Sequence, residues 1–509
     1  MELRISRSIL AAIASALSLL LLGLVVTIQK FVNHEPQASL DQMEIHTPFV
    51  FSQALDPRSI STVGDQMISE HVFGFHARES ITDGFGSVFS EVEFDRENQE
   101  LILVPKFQVR GSDGAIWSVD KICNSIRASL AGTAHAPVGS LVRGVVCSAD
   151  GKIRVQFEKL PVNIRYLFTL ADFSIFDASL LPVTAENLPN TSGPYRIIEY
   201  SKNRVLLSPN PHYPDALRAN QIARVSINSY PASQSQELLQ RAVQRIDEER
   251  FLAYLYGYTL SEKDILGARE AGFRIRQMPS EWMLYWGFGR KLKVSDRALF
   301  FRAAYQWRKE MMEHVSLGQP AYSLSPFDRP FGLTQGEFDS VVNEELSRSI
   351  QGVSSTSDLS RIHTVATLEE WSKIPVVELG LKLAQERFKN LRVELISRQD
   401  AARLWSGEID FLISPLGIAP ADPLNNFAFQ DSFRSIVPLE RISKLSIEGN
   451  STLFNSELKS IERDVLKAQL WMPIAHFPGV VVEHPSFQRV ESLAWSWGIQ
   501  AWTYRIDSQ

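Results

Sequence analysis

The clearest hydrophobic pattern in the chain is a pair of short apolar runs around a polar break. Residues Tyr195–Tyr200 and Arg204–Ser208 carry the runs, and Ser201–Asn203 forms the break. Two strand-like runs around a short polar turn predict a β-hairpin. Gly193 permits a tight bend before this hairpin, and Pro194 restricts φ at its start.

Similar patterns predict strands and helices along the rest of the chain. Strands are predicted at Ile45–Phe51, in short runs across Ser90–Arg110, and at Val142–Cys147, Lys152–Phe157, Phe251–Tyr256 and Glu281–Gly289. Helices are predicted at Gly64–Phe75, Val119–Leu130, Ser235–Glu249, Glu262–Ala271, Asp296–Met312 and Gln399–Trp405. The mixture predicts an α/β protein. Because 509 residues are too many for one core, we expect two or three domains.

The N-terminal segment carries the signal for the compartment. Arg4 and Arg7 precede the uncharged run Ser8–Ile28, and Lys30 follows it. A secretory signal peptide has an apolar core of about 7–15 residues, and this longer run is sufficient to cross a bilayer. We interpret it as an uncleaved signal anchor with the N-terminus in the cytoplasm. The alternative is a long signal peptide that is cleaved. The nearest candidate cleavage site is before Ser39, and it lacks a clean small-x-small pattern.

The composition and the net charge of the chain bear on which classes of molecule the protein binds. The chain is 44% hydrophobic and 22% charged, which is ordinary for a folded globular protein. Its formal net charge is -6, and it contains no block of Lys and Arg residues that would follow a phosphate backbone. We therefore expect no nucleic-acid partner.

The two cysteines leave two alternatives open. Cys123 and Cys147 are able to form a disulfide after export to an oxidising compartment. Cys123 falls in a helical pattern and Cys147 in a strand pattern, so two buried thiols fit equally well. A C-x-x-C redox or zinc motif is missing.

The remaining motifs predict neither a metal site nor catalysis. His71 and His76 are five residues apart, and prolines separate His476 from His484. The H-E-x-x-H, G-x-S-x-G, Walker A and G-x-G-x-x-G signatures are missing. We therefore expect a protein that is not an enzyme and has no cofactor.

Several short motifs, taken in order, resemble one known family. Residues 191–216, TSGPYRIIEYSKNRVLLSPNPHYPDA, resemble the GTGPY…ERNPNYW hairpin of the peptide/nickel-binding family of extracellular solute-binding proteins, family 5. Leu55–Pro57 resembles the family's opening LDP, and Trp282–Gly289 resembles its YLGFN strand. Gly407–Asp410 resembles the GEYD step, and Trp471–His476 resembles the IPL return strand. The resemblance covers about Ile45 to Tyr504.

The resemblance implies an α/β fold of the periplasmic-binding-protein type II kind. Two lobes would be joined by hinge strands, with an extra subdomain in the first lobe. The implied divisions are residues 1–42 for the anchor or signal peptide plus linker, 43–75 for the first part of lobe I, 76–178 for the extra subdomain, 179–280 for the second part of lobe I, 281–471 for lobe II and 472–509 for the return to lobe I.

The resemblance also places a ligand site in the cleft between the lobes. Tyr285, Trp286 and Phe288, on a predicted hinge strand, would stack on a ligand, and the alternative is that they pack in a core. The full set of implied ligand-binding positions is Phe75, Tyr285, Trp286, Phe288, Ala419, Pro420 and His476.

Three features depart from the family's pattern. Ala419 stands where the family's peptide receptors have the Asp that holds the ligand's ammonium group, so ordinary capture of a peptide N-terminus is in doubt. Gly289 stands where the family has an Asn at the end of the hinge strand. No cysteine follows the apolar run to carry the family's lipid anchor.

The function implied by the resemblance is solute capture for an ABC importer. The protein would face the periplasm, anchored in the inner membrane by residues 8–28 or secreted after signal cleavage, and would trap a small solute, such as a peptide or modified peptide, for a permease. The alternative is a transport-inactive form of the fold that serves as a membrane-anchored interaction or sensing protein of the envelope.

Overall fold

The computed structural model describes most of the chain after the N-terminal segment. The described residues are 42–59, 63–75, 88–106, 108–131, 142–158, 160, 174–177, 179, 181–188, 190–213, 222–247, 250–289, 291–315, 317–324, 332–350, 362–397, 400, 403, 409–417, 433, 436–446, 448, 450–489, 501 and 504–506. The chain divides into two units, residues 1–42 and residues 43–509, and the second unit contains the architecture that follows.

The strands are β1 Gln42–Thr47, β2 Gly74–Phe75, β3 Phe89–Asp95, β4 Glu100–Pro105, β5 Val142–Cys147, β6 Ile153–Phe157, β7 Ser174–Ile175, β8 Tyr195–Tyr200, β9 Arg204–Pro209, β10 Arg224–Ser229, β11 Phe251–Tyr256, β12 Arg274–Phe288, β13 Gln319–Pro320, β14 His363–Leu368, β15 Leu391–Ile396, β16 Phe411–Gly417, β17 Trp471–Glu483, β18 Phe487–Arg489 and β19 Tyr504–Ile506. The helices are α1 Val63–Val72, α2 Val119–Leu130, α3 Ser235–Gln244, α4 Glu262–Glu270, α5 Val294–Glu313, α6 Gln335–Ile350, α7 Pro375–Arg387, α8 Leu439–Ser446 and α9 Ser451–Lys467.

One mixed sheet runs through both lobes. Its strand order is β15-β14-β16-β12-β17-β11-β1-β10-β9-β8, with β13 paired to β17. The two long central strands pair antiparallel from Arg274 opposite Glu483 to Gly287 opposite Trp471. At one end β17 also pairs with β11, and at the other end β12 also pairs with β16. The strands β12 and β17 therefore belong to both lobes.

The ladder between β12 and β17 is irregular where the chain passes from one lobe to the other. Register shifts fall between Gln277 and Ser280 and between Ser280 and Trp282. Ser280 lies opposite Pro478, which has no N–H to donate to a ladder. An irregular, proline-containing stretch bends more readily than a continuous ladder, so this point is the candidate hinge.

The hairpin found in the sequence docks on the end of α1. The Gly193 N–H donates to the Val72 carbonyl oxygen at 2.9 Å, and a Cβ at Gly193 would lie 2.7 Å from the Phe73 nitrogen. Asn210 directly follows the second strand of the hairpin, and its buried side chain donates to the Gly193 carbonyl oxygen at 2.9 Å. This close approach of two backbones explains why the turn contains glycine.

Polar caps start several of the helices. The Ser118 hydroxyl accepts a hydrogen bond from the Lys121 N–H at 3.2 Å at the start of α2. Ser261 and Asp264 form a reciprocal capping box at α4, and Asn450 accepts two backbone N–H groups at α9. Side-chain caps satisfy N–H groups that lack a partner within the helix.

The extra subdomain has its own sheet and core. Its strands lie in the order β3-β4-β6-β5, and α2 packs its buried Ile122 and Ile126 against them. Cys123 of α2 and Cys147 of β5 form a disulfide whose Cα atoms are 6.2 Å apart. Of the two alternatives that the sequence left open, the structure has the bridge.

A buried histidine joins three elements of the second lobe. His363, at the start of β14, places Nε2 3.3 Å from the Asp296 carboxylate of α5 and Nδ1 3.4 Å from the Asp410 carboxylate. The same Asp410 carboxylate accepts the Thr364 N–H at 3.2 Å. The Asp of the GEID motif therefore helps to hold β14 in place.

Some predicted bounds were wrong. The first strand is Gln42–Thr47 instead of Ile45–Phe51, because Pro48 ends the ladder while Phe49 and Phe51 are still buried in the core. The helix predicted to reach Glu249 ends at Gln244. Most of the predicted helix Gln399–Trp405 lies outside the described residues.

The disulfide leads to the first prediction. Replacing both cysteines, Cys123→Ala with Cys147→Ala, should lower the free energy of unfolding of the subdomain by about 3 kcal/mol, because the bridge closes a loop of 24 residues. Thermal unfolding of the two proteins measures the loss. Thiol labelling of the unfolded wild type, with and without reductant, is the control: free thiols without reductant would contradict the bridge.

Gly289 leads to the second prediction. A Cβ at Gly289 would overlap the Ile409 carbonyl oxygen, and the Gly289 N–H donates to the Asp410 carbonyl oxygen at 2.9 Å. Gly289→Ala should therefore cost about 1–3 kcal/mol in the free energy of unfolding.

Gly267 provides the matched control for Gly289. Nothing lies within 4 Å of a Cβ at this helical glycine, so Gly267→Ala should stabilise the protein by about 0.5–1 kcal/mol. Chemical denaturation compares the two variants, and equal effects would refute the proposed crowding at position 289.

Candidate functional site

Three tyrosines lie in alternation where the first lobe meets the hinge. Tyr254 and Tyr256 are on β11, and Tyr258 is in the 3₁₀ turn that follows. Residues two apart on a strand share a face. Tyr254 is fully buried, whereas Tyr256 and Tyr258 each keep 8% of their surface exposed. All three rings are therefore mostly buried, and Tyr256 and Tyr258 each keep a small exposed edge.

Trp282 and Phe477 complete this group of rings from the two hinge strands. The ring centroids of Tyr256 and Trp282 are 4.5 Å apart, edge to face, and those of Tyr258 and Phe477 are 5.6 Å apart. The Trp282 indole N–H donates to the Tyr254 hydroxyl at 3.0 Å. We call Phe49, Tyr254, Tyr256, Tyr258, Trp282 and Phe477 the aromatic cluster.

The aromatic cluster sits at the crossing of the lobes. Tyr256 pairs with Gly479, one residue beyond the irregular point at Pro478. A Cβ at Gly257 would lie 2.6 Å from the Pro478 carbonyl oxygen, so the chain after β11 is in direct backbone contact with β17. Aromatic side chains that combine an apolar face with a polar tip suit a partly wet ligand surface.

Trp286 and Phe288, two of the residues predicted from the sequence, lie in the core of the second lobe. Their rings stack on Phe411 of β16, with centroids 4.4 Å and 5.3 Å away. Trp286 also contacts Trp307 of α5 at 5.5 Å. Tyr285, Trp286 and Phe288 are 0%, 0% and 1% exposed. The three rings therefore pack in a core, which is the alternative to stacking on a ligand, and the protein's own side chains cover them.

His476, another predicted residue, is buried on β17. Its Nε2 lies 2.9 Å from the Ser323 carbonyl oxygen, so Nε2 carries the hydrogen and donates it. Burial, with a smaller contribution from the nearby Arg308 and against the hydrogen bond to Ser323, lowers the pKa of His476 to about 4. The imidazole is therefore neutral at neutral pH, and it holds a neighbouring segment in place.

The remaining predicted residues are described in part or not at all. The backbone of Phe75 pairs with Ser174. Ala419 and Pro420 lie outside the described residues, as does the predicted anchor Ser8–Ile28. Among the described helices, none is long and apolar enough to span a bilayer. In the same described ranges, no group of three His, Cys, Asp or Glu side chains is placed to hold a metal ion.

The aromatic cluster was missed in the sequence, although a signal for it exists. The segment Tyr254–Tyr258 reads Y-L-Y-G-Y, with one tyrosine at every second position. Such alternation indicates one face of a strand that carries aromatic rings. The position of that face beside the hinge depends on pairing with β17, which the segment itself does not encode.

Solved structures of known proteins match this architecture over nearly its whole length. The dipeptide binding protein from Pseudoalteromonas sp. SM9913, in complex with Met-Leu, gives a TM-score of 0.73 at 11% identity over 92% of this chain and 100% of that chain. The Escherichia coli murein tripeptide binding protein MppA gives a TM-score of 0.70 at 13% identity over 92% of this chain and 99% of that chain. NikA from Staphylococcus aureus, in complex with Ni(L-His)2, gives a TM-score of 0.69 at 12% identity over 92% of this chain and 100% of that chain.

At the level of sequence, no protein-family model and no curated protein matches the chain. Identities of 11–13% at these TM-scores show a shared fold. The predicted fold class is therefore confirmed: the chain has the α/β fold of the type II periplasmic binding proteins, with two lobes joined by hinge strands and an extra subdomain in the first lobe.

Proposed function

We propose that this protein binds a small solute between its two lobes and presents it to an ABC importer. The observation that carries the proposal is the pair β12 and β17, which joins the lobes beside the aromatic cluster. The shared fold of the dipeptide-binding and murein-tripeptide-binding proteins supports the same class of function. Binding and lobe closure would suffice, with no covalent chemistry.

Closure would use the irregular part of the long ladder. Hinge motions are absorbed by a few residues at the ends of elements. Here the register shifts from Gln277 to Trp282, opposite Pro478, offer that place. On the first-lobe side, the pairs from Arg274 to Gln277 are regular. On the second-lobe side, β12 has one further shift against β17, between Leu284 and Tyr285, but it pairs continuously with β16 from Trp282 to Phe288, so each lobe would move as a body.

The chemistry of the cluster favours a ligand with flat or apolar groups. The exposed edges of Tyr256, Tyr258 and Trp282, 8% of the surface of each residue, would pack against such groups. Ala419 provides no carboxylate for a peptide ammonium group. We therefore infer a peptide with a modified N-terminus, or a solute of similar size without an ammonium group, as the first class to test.

The compartment and partners follow from the same proposal. The protein would face the periplasm, held at the inner membrane by Ser8–Ile28 or released after signal cleavage, and its protein partner would be a permease. A transport-inactive protein of the envelope is the second candidate, and the departures at Gly289 and Ala419 favour it.

Ligand screening of the purified full-length chain tests the proposal. Thermal unfolding would be followed with N-acylated peptides, free peptides, amino acids, nickel–histidine and sugars. A ligand at about one hundred times its Kd should stabilise the folded state by about 2.7 kcal/mol, which is a readable shift in Tm. A folded protein that responds to none of these classes would contradict solute capture and favour the envelope protein.

The third prediction concerns the aromatic cluster and uses whichever ligand the screen identifies. The variant Tyr258→Ala should raise the Kd of that ligand about tenfold, because one stacked ring contributes about 0.5–1.5 kcal/mol to binding beyond its buried area. Tyr200→Ala is the control, since Tyr200 is a buried first-lobe tyrosine whose hydroxyl donates to the Ser52 carbonyl oxygen outside the cluster. Titration calorimetry gives both values, and an unchanged Kd for Tyr258→Ala would remove the cluster from the site.

A further inference from the structure

A carboxylate buried in the second lobe holds two separate stretches of backbone. Glu462 of α9 is 1% exposed. Its two oxygens lie 2.7 Å and 2.8 Å from the Ser323 hydroxyl. One oxygen also accepts the Leu324 N–H at 2.9 Å, and the other accepts the Leu333 N–H at 3.2 Å. Both ends of the carboxyl group are therefore engaged by the chain between α5 and α6.

The first of these stretches, Gly318–Leu324, is also attached to the hinge strand β17. Gln319 pairs with His476 and Pro320 with Ala475. The Ala321 N–H donates to the Ile474 carbonyl oxygen at 3.0 Å, and His476 donates to the Ser323 carbonyl oxygen at 2.9 Å. We call Gly318–Leu324 the hinge-side segment.

The hinge-side segment borders the aromatic cluster. A Cβ at Gly318 would lie 3.0 Å from a ring carbon of Phe477. The other side of Phe477 faces Tyr258, with ring centroids 5.6 Å apart. Glu462 is thus connected to the candidate ligand surface through Ser323, the hinge-side segment and Phe477.

The charged groups around Glu462 are already engaged with other partners. Lys459, on the same helix, lies 3.1 Å from Glu337 of α6, and Arg463 binds the same carboxylate at 2.7 Å. Arg308 of α5 donates to the Ala321 carbonyl oxygen at 2.6 Å, and its guanidinium lies over the Tyr322 ring. From β17, His476 faces this region in its neutral form.

Burial raises the pKa of Glu462 to about 7, against hydrogen bonds from Ser323, Leu324 and Leu333 that act in the opposite direction. The neutral carboxyl can donate from one oxygen to the Ser323 hydroxyl while its carbonyl oxygen accepts one of the two backbone N–H groups. A charged carboxylate buried without a directly bound cation is costly. Burial therefore places the ionisation of Glu462 near neutral pH.

We propose that Glu462 positions the hinge-side segment as a wall of the ligand site and loosens it when the carboxyl group ionises. The part that concerns the ligand rests on the proposed function. The arrangement is not a catalytic triad, because His476 binds the backbone carbonyl oxygen of Ser323 and Glu462 binds its hydroxyl. Glu462 is therefore a positioning residue.

The direction of the pH effect follows from linkage. A carboxyl whose pKa is higher in the closed state than in the open state favours closure when protonated. This stabilisation is complete below the ordinary pKa of 4.5 and is lost as the pH rises through about 7. Between about pH 5.5 and about pH 8.5, the equilibrium for opening of the segment should rise about thirtyfold.

Hydrogen exchange of the full-length chain tests this fourth prediction without a ligand. Exchange of the amides in the hinge-side segment and at Leu333 would be measured by mass spectrometry over that pH range and corrected for the intrinsic rate. The wild type should lose protection about thirtyfold. Glu462→Gln should show no such pH dependence, because its amide does not ionise in this range.

Two further variants distinguish positioning from a general loss of stability. Ser323→Ala removes a donor to the carboxylate, which raises the pKa of Glu462 in the closed state, so the loss of protection should continue to a higher pH and be larger than in the wild type. Glu345→Gln is the matched control, because Glu345 is a buried second-lobe carboxylate that pairs with Arg348 at 2.7 Å outside this contact. It should keep the wild-type pH response.

Two results would overturn the proposal. In the first, protection of the segment in the wild type does not change with pH. In the second, Glu462→Gln and Ser323→Ala both keep the pH response of the wild type. Ligand titrations keep the two proposals separate. A ligand whose Kd is the same for wild type and Glu462→Gln at both ends of the pH range would overturn the ligand-site role alone. If the screen identifies no ligand but the hydrogen-exchange response is as expected, solute capture is contradicted, whereas the positioning of the hinge-side segment by Glu462 is supported.

Discussion

The antiparallel pairing of β12 with β17 is the constraint on which both lobes depend. Each strand leaves a ladder of one lobe and enters a ladder of the other, so the lobes share one sheet and one buried core along it. The backbone hydrogen bonds of two adjacent strands must be satisfied along their whole length. Irregular pairing occurs opposite Pro478 and again between Leu284 and Tyr285. The stretch opposite Pro478 lies where the strands pass from one lobe to the other, which makes it the place best suited to absorb a rotation.

Packing on either side of this pair divides the aromatic residues into two groups with different tasks. On the second-lobe side, Trp286 and Phe288 stack on Phe411 and are closed to solvent, which makes the lobe a well-packed body. On the first-lobe side, Trp282, Tyr256 and Tyr258 each keep 8% of their surface exposed. The proposed closure on a solute would need both features, because a ligand could close the lobes only if each lobe moved as a unit.

Polar contacts of the second lobe connect its helices to the same pair of strands. Glu462 joins α9 to the hinge-side segment that pairs with β17, and Arg308 of α5 donates to the Ala321 carbonyl oxygen of the same segment. Buried polar groups of this kind are costly unless every partner is in place, so they specify one arrangement of the lobe. The arrangement they specify brings Gly318 against Phe477, at the border of the aromatic cluster.

The sequence by itself determined the local elements and, through its ordered motifs, the class of fold. The hairpin at Tyr195–Pro209 and the helix Val119–Leu130 follow from short-range periodicity, turn residues and caps, all of which act within a few residues. Which face of a hinge strand meets a ligand was decided only by the tertiary structure. In strands buried on both faces, such as β11 and β17, the alternation of residues gives two equivalent sides, and long-range pairing and helix packing choose between them. Trp282 and Trp286, four residues apart on one face of β12, show a further limit: the first packs on Tyr256 and the second on Phe411, because the strand passes from one lobe into the other.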